Sequence, residues 1–404
     1  MPAGNDVSMR IPSGREGLIL CREPAAHGIC EKCRFDPMTK VILERASYEY
    51  GSLRTHIFSM LESCGISVGE GRKVLLKPNL LAPASPEKAM LTHPLVVRVA
   101  AEYVLEKGGV VQLSDSPAMG GFDKVLRESG IKDALAGLPV EFKEFRDSVP
   151  VEVGPPFNRL ELAADALDAD VLINLPKLKT HGQMLLTLGV KNLFGCVVGL
   201  RKPQWHLRTG VDREMFAALL VTIYRKLMPS VTILDGILAM EGNGPGRGGK
   251  PKELGLLMAS TDAIAVDMTV CEMLGLPADA LFTNAAAARA GIAPARIDVR
   301  GDKFRIQGFQ LPKMTPLVFG PKFTHKLMRK FLVQRPQADP LLCKACGDCR
   351  KYCPAGAITQ AGSKIEFDYD RCIRCYCCIE VCPHGALRAV EPYPGRLFNR
   401  IIRR

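Results

Sequence analysis

Nine of the fifteen cysteines fall between Cys343 and Cys382. Eight of them form two runs of one spacing, Cys343-x2-Cys346-x2-Cys349-x3-Cys353-Pro354 and Cys372-x2-Cys375-x2-Cys378-x3-Cys382-Pro383. The runs are offset by 29 residues, and Gly356/Gly385 and Ala357/Ala386 repeat at the same offset, so the segment is an internal duplication. Three closely spaced thiolates wrap one face of an iron–sulfur cubane, and the fourth of each run, ahead of proline, reaches the other cluster. On this spacing Cys343, Cys346, Cys349 and Cys382 are expected to hold one [4Fe–4S] cluster. Cys372, Cys375, Cys378 and Cys353 are expected to hold a second. Zinc would favour paired C-x2-C knuckles, without a third cysteine at the same step or the closing Cys-Pro. Cys377 falls outside both runs and reads as a spare packing thiol.

A second concentration of chemistry is Asn174-Leu-Pro-Lys177-Leu-Lys179-Thr-His181-Gly, followed by TLGVKNLFG with Lys191 and Asn192. Lysines at this density suit an anionic substrate or cofactor. His181 has the side chain for general acid–base work near neutrality. Lys191 would pair with an anion, or act as a nucleophile if desolvated. Lys77 and Asn79, Asp115 and Asp235 each stand just past or at the end of an apolar run that reads as a strand. Ligand crevices of open parallel sheets lie outside the carboxyl ends of the strands, so these residues are candidates for one shared site.

The stretch from Glu241 to Pro251 is rich in glycine. Gly244 to Lys250 matches a phosphate-binding loop until Pro251 replaces the hydroxyl residue, and no helix follows. The G-x-G-x-x-G match at Gly244, Gly246 and Gly249 fails for the same reason. The expectation is a mobile loop over the site, with Glu241 or Asn243 reaching in.

These groups need a scaffold, and the chain can supply one. Its 404 residues are 47% hydrophobic and 24% charged, which excludes global disorder and suggests two or three domains. No run approaches the ~18 apolar residues of a membrane span. The first 20 residues lack the apolar core of a secretory leader, so a cytoplasmic location is expected. Disulfides would need an oxidising compartment, which favours cluster ligation for the cysteine-rich end. The net charge is +12, and residues 321–404 carry 16 Lys/Arg against 7 Asp/Glu. Two oxidised clusters would add about −4 and leave that end still basic. A basic module suits an acidic redox partner such as a ferredoxin or flavodoxin, or its own front domain. No nucleic-acid partner is expected.

Residues 1–37 read as a poorly ordered extension in which Cys21, Cys30 and Cys33 are free thiols. From 38 to 300, apolar strands alternate with amphipathic helices. MTKVILER, RKVLLK, VVQLSD, VEFKEF, VLINLP, VTILDG and LGLLMAS are the strands. Pro94 opens one helix, and Ser260 is the expected N-cap of another. This alternation predicts an α/β domain with a largely parallel sheet and flanking helices. Cys64, Cys196 and Cys271 fall in apolar helical contexts and read as packing residues. Residues 301–340 read as a linker or docking segment, 341–392 as a separate small module, and 393–404 as a basic tail.

KPNL (77–80), LPKLKTHGQMLLTLGVKNLFG (175–195), DGILAMEGNGPGRGG (235–249) and DAIAVDMTVCEMLG (262–275) resemble the DUF362 family. Its members are often followed by a ferredoxin-type module, and the C-terminal region is similar to a small α+β ferredoxin-like 2[4Fe–4S] domain. The family name carries no settled activity. His181-x9-Lys191, with Gly189 ahead of the lysine, is also similar to the His/Lys segment of the lactate racemase catalytic family. Three functional expectations follow. The first is an iron–sulfur oxidoreductase that relays electrons between two clusters and a ligand in the crevice, with room there for an organic cofactor. In it Lys177, Lys179 and Lys191 bind an anionic group, His181 moves protons, and Lys77, Asn79 and Asp115 position the ligand. The second is an electron carrier or adaptor without its own chemistry. The third is a non-redox isomerase.

Overall fold

The computed structural model describes residues 38–209, 212–312, 314, 327–328 and 330–394. The extension with Cys21, Cys30 and Cys33, and all of the basic tail beyond residue 394, lie outside the described residues.

The strands of the front domain are β1 (Met38–Arg45), β2 (Lys73–Pro78), β3 (Val110–Leu113), β4 (Val140–Phe142), β5 (Ser148–Gly154), β6 (Asn158–Ala163), β7 (Val171–Leu175), β8 (Lys177–His181), β9 (Leu185–Thr187), β10 (Val231–Gly242), β11 (Gly249–Ser260) and β12 (Arg296–Gly301). The main sheet runs β12-β1-β11-β10-β7-β2-β3-β4. From β10 to β4 every neighbouring pair is parallel. The β10–β11 hairpin and the β1–β11 pair are antiparallel. The central strands are buried and mostly apolar, as β7 (VLINL) shows with all five residues buried, because helices cover both faces of a parallel sheet.

The helix Pro94–Glu106 begins with proline at its first position and buries Val96, Val97, Val99, Ala100 and Val104. This helix and Tyr50–Ser63 pack on one face of the sheet with Leu53, Ile57, Val74, Leu76 and Ile173 in one core. On the other face the helix Ala263–Met273 packs Ala265, Val266 and Val270 against Leu234, Leu256 and Met258. Its N-cap is Asp262 rather than the expected Ser260, because the Asp262 carboxylate accepts from Ile264 N. The Ser260 hydroxyl instead donates to Lys40 O on β1.

Two antiparallel additions were hidden in the sequence. The β5–β6 hairpin carries charged residues that mask its alternation. β8 continues from the end of β7 after Pro176, pairs with β10 and turns back into β9. That extension carries Lys177, Lys179 and His181 out past the carboxyl ends of β2 and β3.

The C-terminal module has β13 (Arg335–Ala338), β14 (Ile358–Ala361), β15 (Lys364–Phe367) and β16 (Leu387–Val390). β13 lies within the segment read as a linker and pairs with β16, while β14 pairs with β15. The architecture is therefore a mixed α/β domain with a large, mostly parallel sheet flanked by helices, plus a small ferredoxin-like module. All described residues belong to one compact unit.

Candidate functional site

The duplication in the module extends to its backbone. Ala345 and Arg374, Gly347 and Tyr376, and Gly356 and Gly385 are equivalent positions, and all six have positive φ. Non-glycine residues adopt that conformation at a cost, so the loops share a shape that the side chains do not prefer. In both runs the closing cysteine accepts a backbone N–H four residues on, Ala357 N to Cys353 Sγ and Ala386 N to Cys382 Sγ, each 3.3 Å. Cys343, Cys346, Cys349 and Cys382 line one small cavity with Ile365 and Leu387. Cys353 lies within electrostatic reach of Cys372 and Cys375, and Cys378 of all three. Cys378 is also within reach of Cys349, so the two sets lie side by side. Four soft thiolate donors around an apolar-walled cavity fit an iron–sulfur cluster. The two sets differ in setting. Cys346 is exposed, whereas Cys375 and Cys378 are buried.

The front domain holds a cavity of about 330 Å³ at the carboxyl ends of its parallel strands. Lys77, Asn79, Asp115, Lys179, His181, Lys191 and Asn192 all line it. A polar chain positions them. Lys179 Nζ donates to Asn79 Oδ1 (2.7 Å), and Asn79 Nδ2 to Asn192 Oδ1 (2.8 Å). Asn192 Nδ2 continues to Asn174 Oδ1 (2.8 Å). The ends of β2, β7 and β8 are fastened together in this way. Lys77 Nζ sits 2.9 Å from Asp115 Oδ1, with both side chains buried. A Cβ at Gly195 would overlap both of these groups, which explains the glycine that closes KNLFG. The turn carrying Lys191 is fixed by Asp267, whose carboxyl accepts from Gly189 N (2.7 Å) and Val190 N (3.2 Å). Burial raises the Asp267 carboxyl to about 8.

Lys177, Asp235, Glu241 and Asn243 do not line this cavity. Lys177 Nζ donates to Asp235 Oδ2 (2.8 Å) and to the Tyr48 hydroxyl (2.9 Å), and Tyr48 donates to Asp235 Oδ1 (2.7 Å). His93 stacks on the Tyr48 ring at 3.5 Å, and its backbone N–H also reaches Asp235. Glu241 accepts from Gln310 N at 2.9 Å. The glycine-rich segment is the tight turn of the β10–β11 hairpin. Gly244 lies so close to Thr180 that a Cβ would overlap its carbonyl. The turn meets the module at Gly246 beside Glu380 O and at Arg247 beside Gly385.

The module itself closes the cavity. Tyr352, Cys377, Glu380 and Val381 complete its lining. Cys377 and Glu380 are the ends of a short helix inside the second cysteine run. Glu380 Oε1 stands 2.9 Å from His181 Nε2. His181 Nδ1 accepts the backbone N–H groups of Gln183 (3.1 Å) and Met184 (3.2 Å), which places the imidazole proton on Nε2, facing Glu380. Burial, with Lys191 adding to it, lowers His181 to about 4. Burial alone would raise Glu380, but His181, Lys191 and His206 around it hold its carboxyl down to about 2. At neutral pH the pair is a neutral imidazole facing a carboxylate at 2.9 Å, in a contact without hydrogen-bond geometry. Burial and the neighbouring Lys191 bring Lys179 to about 7, and burial brings Lys202 to about 8. Sequence reasoning missed Glu380 and Cys377 because the ligand spacing absorbed their segment. It missed Thr187, Lys202 and His206 because nothing in their local pattern distinguishes them.

The family model described as a domain of unknown function (DUF362) matches residues 74–272, and a 4Fe-4S dicluster domain matches 335–383. A thylakoid-associated protein of Synechocystis sp. is 39% identical over 303 residues, 72% of this chain and 94% of that protein. The chain belongs to the DUF362 family. Its C-terminal module is an iron–sulfur domain of the 4Fe–4S type. This DUF362 protein also matches an iron–sulfur protein of Rhodospirillum rubrum, at 40% identity over 52 residues, 12% of this chain and 27% of that one. The lactate racemase apoprotein of Thermoanaerobacterium thermosaccharolyticum aligns with a TM-score of 0.29 and 9% identity over 56% of this chain and 54% of that one, which carries no argument. No helix among the described residues is long and apolar enough to cross a membrane.

Proposed function

We propose that this chain relays electrons between an acidic redox partner and a small anionic ligand held in the front-domain cavity. The observation that carries this reading is the shared wall: the helix Cys377–Glu380, inside the second cysteine run, is part of the cavity lining and contacts His181. Cys343, Cys346, Cys349 and Cys382 would hold one [4Fe–4S] cluster, and Cys353, Cys372, Cys375 and Cys378 the other. Such clusters supply single electrons when bound. Relatives matching this module support the role, among them the electron transport protein HydN of Escherichia coli, 37% identical over 51 residues.

The first cysteine set faces outward. Exposed Lys344, Arg350 and Lys351 surround it, with Leu341 and Leu342 also exposed. This surface suits the docking of an acidic protein. The second run contributes Cys377 and Glu380 to the cavity wall. There Lys179 and Lys191 supply positive charge, Lys77 with Asp115 fixes the ends of β2 and β3, and His181 holds a proton on Nε2 where the cavity meets the module. The Lys177, Tyr48 and Asp235 cluster acts as a weld beneath.

The test is anaerobic purification of the full chain with iron and sulfide analysis, followed by potentiometric titration read by electron paramagnetic resonance. About eight irons are expected. The signal that Cys378→Ala removes should shift in potential in Glu380→Gln, while the other stays in place. Equal behaviour of both signals in Glu380→Gln would uncouple the cavity from the clusters and defeat the reading.

A further inference from the structure

Four lysines line the cavity, but three already have protein partners. Lys77 Nζ meets Asp115 Oδ1 at 2.9 Å and Pro78 O at 2.8 Å. Lys179 Nζ donates to Asn79 Oδ1 and Met90 O, both at 2.7 Å. Lys202 Nζ donates to Ser116 O. Lys191 Nζ makes no hydrogen bond or ion pair with any described residue; it stands 5.9 and 6.0 Å from the ring centres of Phe194 and Phe216. Four other polar atoms in the same lining also make no hydrogen bond among the described residues. Two of them, His181 Nε2 and Glu380 Oε1, face each other at 2.9 Å; the other two are Thr187 Oγ1 and His206 Nδ1, on residues only 3% and 4% exposed. Native proteins pair the great majority of buried polar groups. Lys191 Nζ, Thr187 Oγ1 and His206 Nδ1, which face no partner in one cavity wall, therefore point to a ligand.

The composition of this set limits the ligand's class. One cation, free of direct contacts although the Glu380 carboxylate acts on it electrostatically, and two neutral hydrogen-bonding groups match at most a single carboxylate. A diphosphate or triphosphate would call for several unpaired cations. The remaining wall is apolar, with Leu80, Pro117, Phe194 and Val381, and so accepts a short carbon chain. Cys377 lies in the same lining and is close enough to act electrostatically on Lys191.

We propose that the part of the cavity around Lys191, Thr187 and His206 is a carboxylate subsite. It takes a small organic monocarboxylate whose carbon chain points toward Cys377 of the module. This deepens the reading above and shares with it the cavity as the ligand site, but it requires no electron transfer.

Iodoacetate is a suitable probe, being a two-carbon carboxylate with an electrophilic methylene, and iodoacetamide is its uncharged counterpart. In the alkylation Cys377 Sγ bonds to the methylene carbon, iodide leaves, and the thiol proton passes to solvent. The full-length protein with its iron in place is treated with each reagent, and modification of Cys377 is followed by peptide mass spectrometry. Relative to glutathione in the same buffer, Cys377 should favour iodoacetate over iodoacetamide by about tenfold. Excess propionate should suppress that preference, Lys191→Met should abolish it, and Thr187→Val should weaken it with iron content unchanged. The proposal is overturned if wild-type Cys377 shows the glutathione ratio, if the preference survives Lys191→Met, if inorganic pyrophosphate protects better than propionate, or if neither reagent modifies Cys377. Failure of the redox reading looks different. The iodoacetate preference would then persist while the cluster signals ignored Glu380→Gln.

Discussion

Lys177 and His181 stand four residues apart on β8, both buried, yet they end in opposite kinds of surroundings. Lys177 enters a closed arrangement in which Asp235, Tyr48 and His93 satisfy one another. His181 and the nearby Lys191 enter a cavity where Lys191 makes no hydrogen bond or ion pair with any described residue and where the module supplies the Glu380 carboxylate that acts on both. Lys177 and His181 are equally buried, and Lys191 is only partly exposed. What differs is saturation. A buried charge with all its partners present is a fastening. A buried polar group left open beside a cavity is a recognition element.

The comparison can be broken by mutation. The largest effect is expected where cofactor ligation is lost. Cys378→Ala should remove about half of the bound iron and loosen the cavity wall that Cys377 and Glu380 form. Cys346→Ala should also remove about half, but leave that wall in place, because Cys346 is exposed on the far set. Unchanged iron in either variant would overturn the ligand assignment. Next in size, Lys177→Met leaves the Asp235 carboxylate buried without its cation and should lower stability by about 3–5 kcal/mol in denaturant unfolding. Lys191→Met removes a cation that makes no direct hydrogen bond or ion pair among the described residues and should change stability by less than about 1 kcal/mol. Similar losses in the two variants would erase the distinction between fastening and recognition. Glu380→Gln keeps the shape but weakens the contact with His181, and should cost about 1–2 kcal/mol, read as faster proteolysis between the front domain and the module.

Much of this was legible from residue spacing, and the remainder shows what spacing leaves out. The crossed cysteine sets were readable because cluster ligation fixes the steps between thiolates. The alternation of apolar strands and amphipathic helices gave the sheet, and KPNL and KTHG marked its carboxyl edge. The β8 extension was not legible, since Pro176 and three basic residues break the apolar run that signals a strand. The fate of Lys177 depends on Tyr48, 129 residues away, and no local pattern carries that. Glu380 was hidden because its role appears only when the module packs on the crevice, and Cys377 read as a packing residue for the same reason. The glycine-rich stretch read as a mobile loop over the site; its Pro245 lines the cavity, and its glycines let the backbone pass against Thr180 and Glu380.

The smallest expected effect concerns pH and tests the His181–Glu380 pair directly. Burial is the main cause that holds His93 and His181 at about 4 and His206 at about 3, against an ordinary imidazole value of 6.5. Above about pH 6.5 these rings are neutral in both folded and unfolded chains, and their stabilising contribution is complete. As the pH falls from about 6.5 toward 4, the unfolded chain takes up protons that the folded protein refuses, so stability declines. Each ring contributes up to about 1.4 kcal/mol per pH unit to that slope. Glu380 remains ionised in the folded protein across this window, because its carboxyl is held to about 2. Denaturant unfolding of His181→Asn between pH 7.5 and 5 should therefore show a shallower slope than the wild type, by about one ring's share. An unchanged slope would mean that His181 already carries its second proton in the folded protein. The contact with Glu380 would then be a full ion pair, and the neutral donor placed at the cavity edge would have to be abandoned.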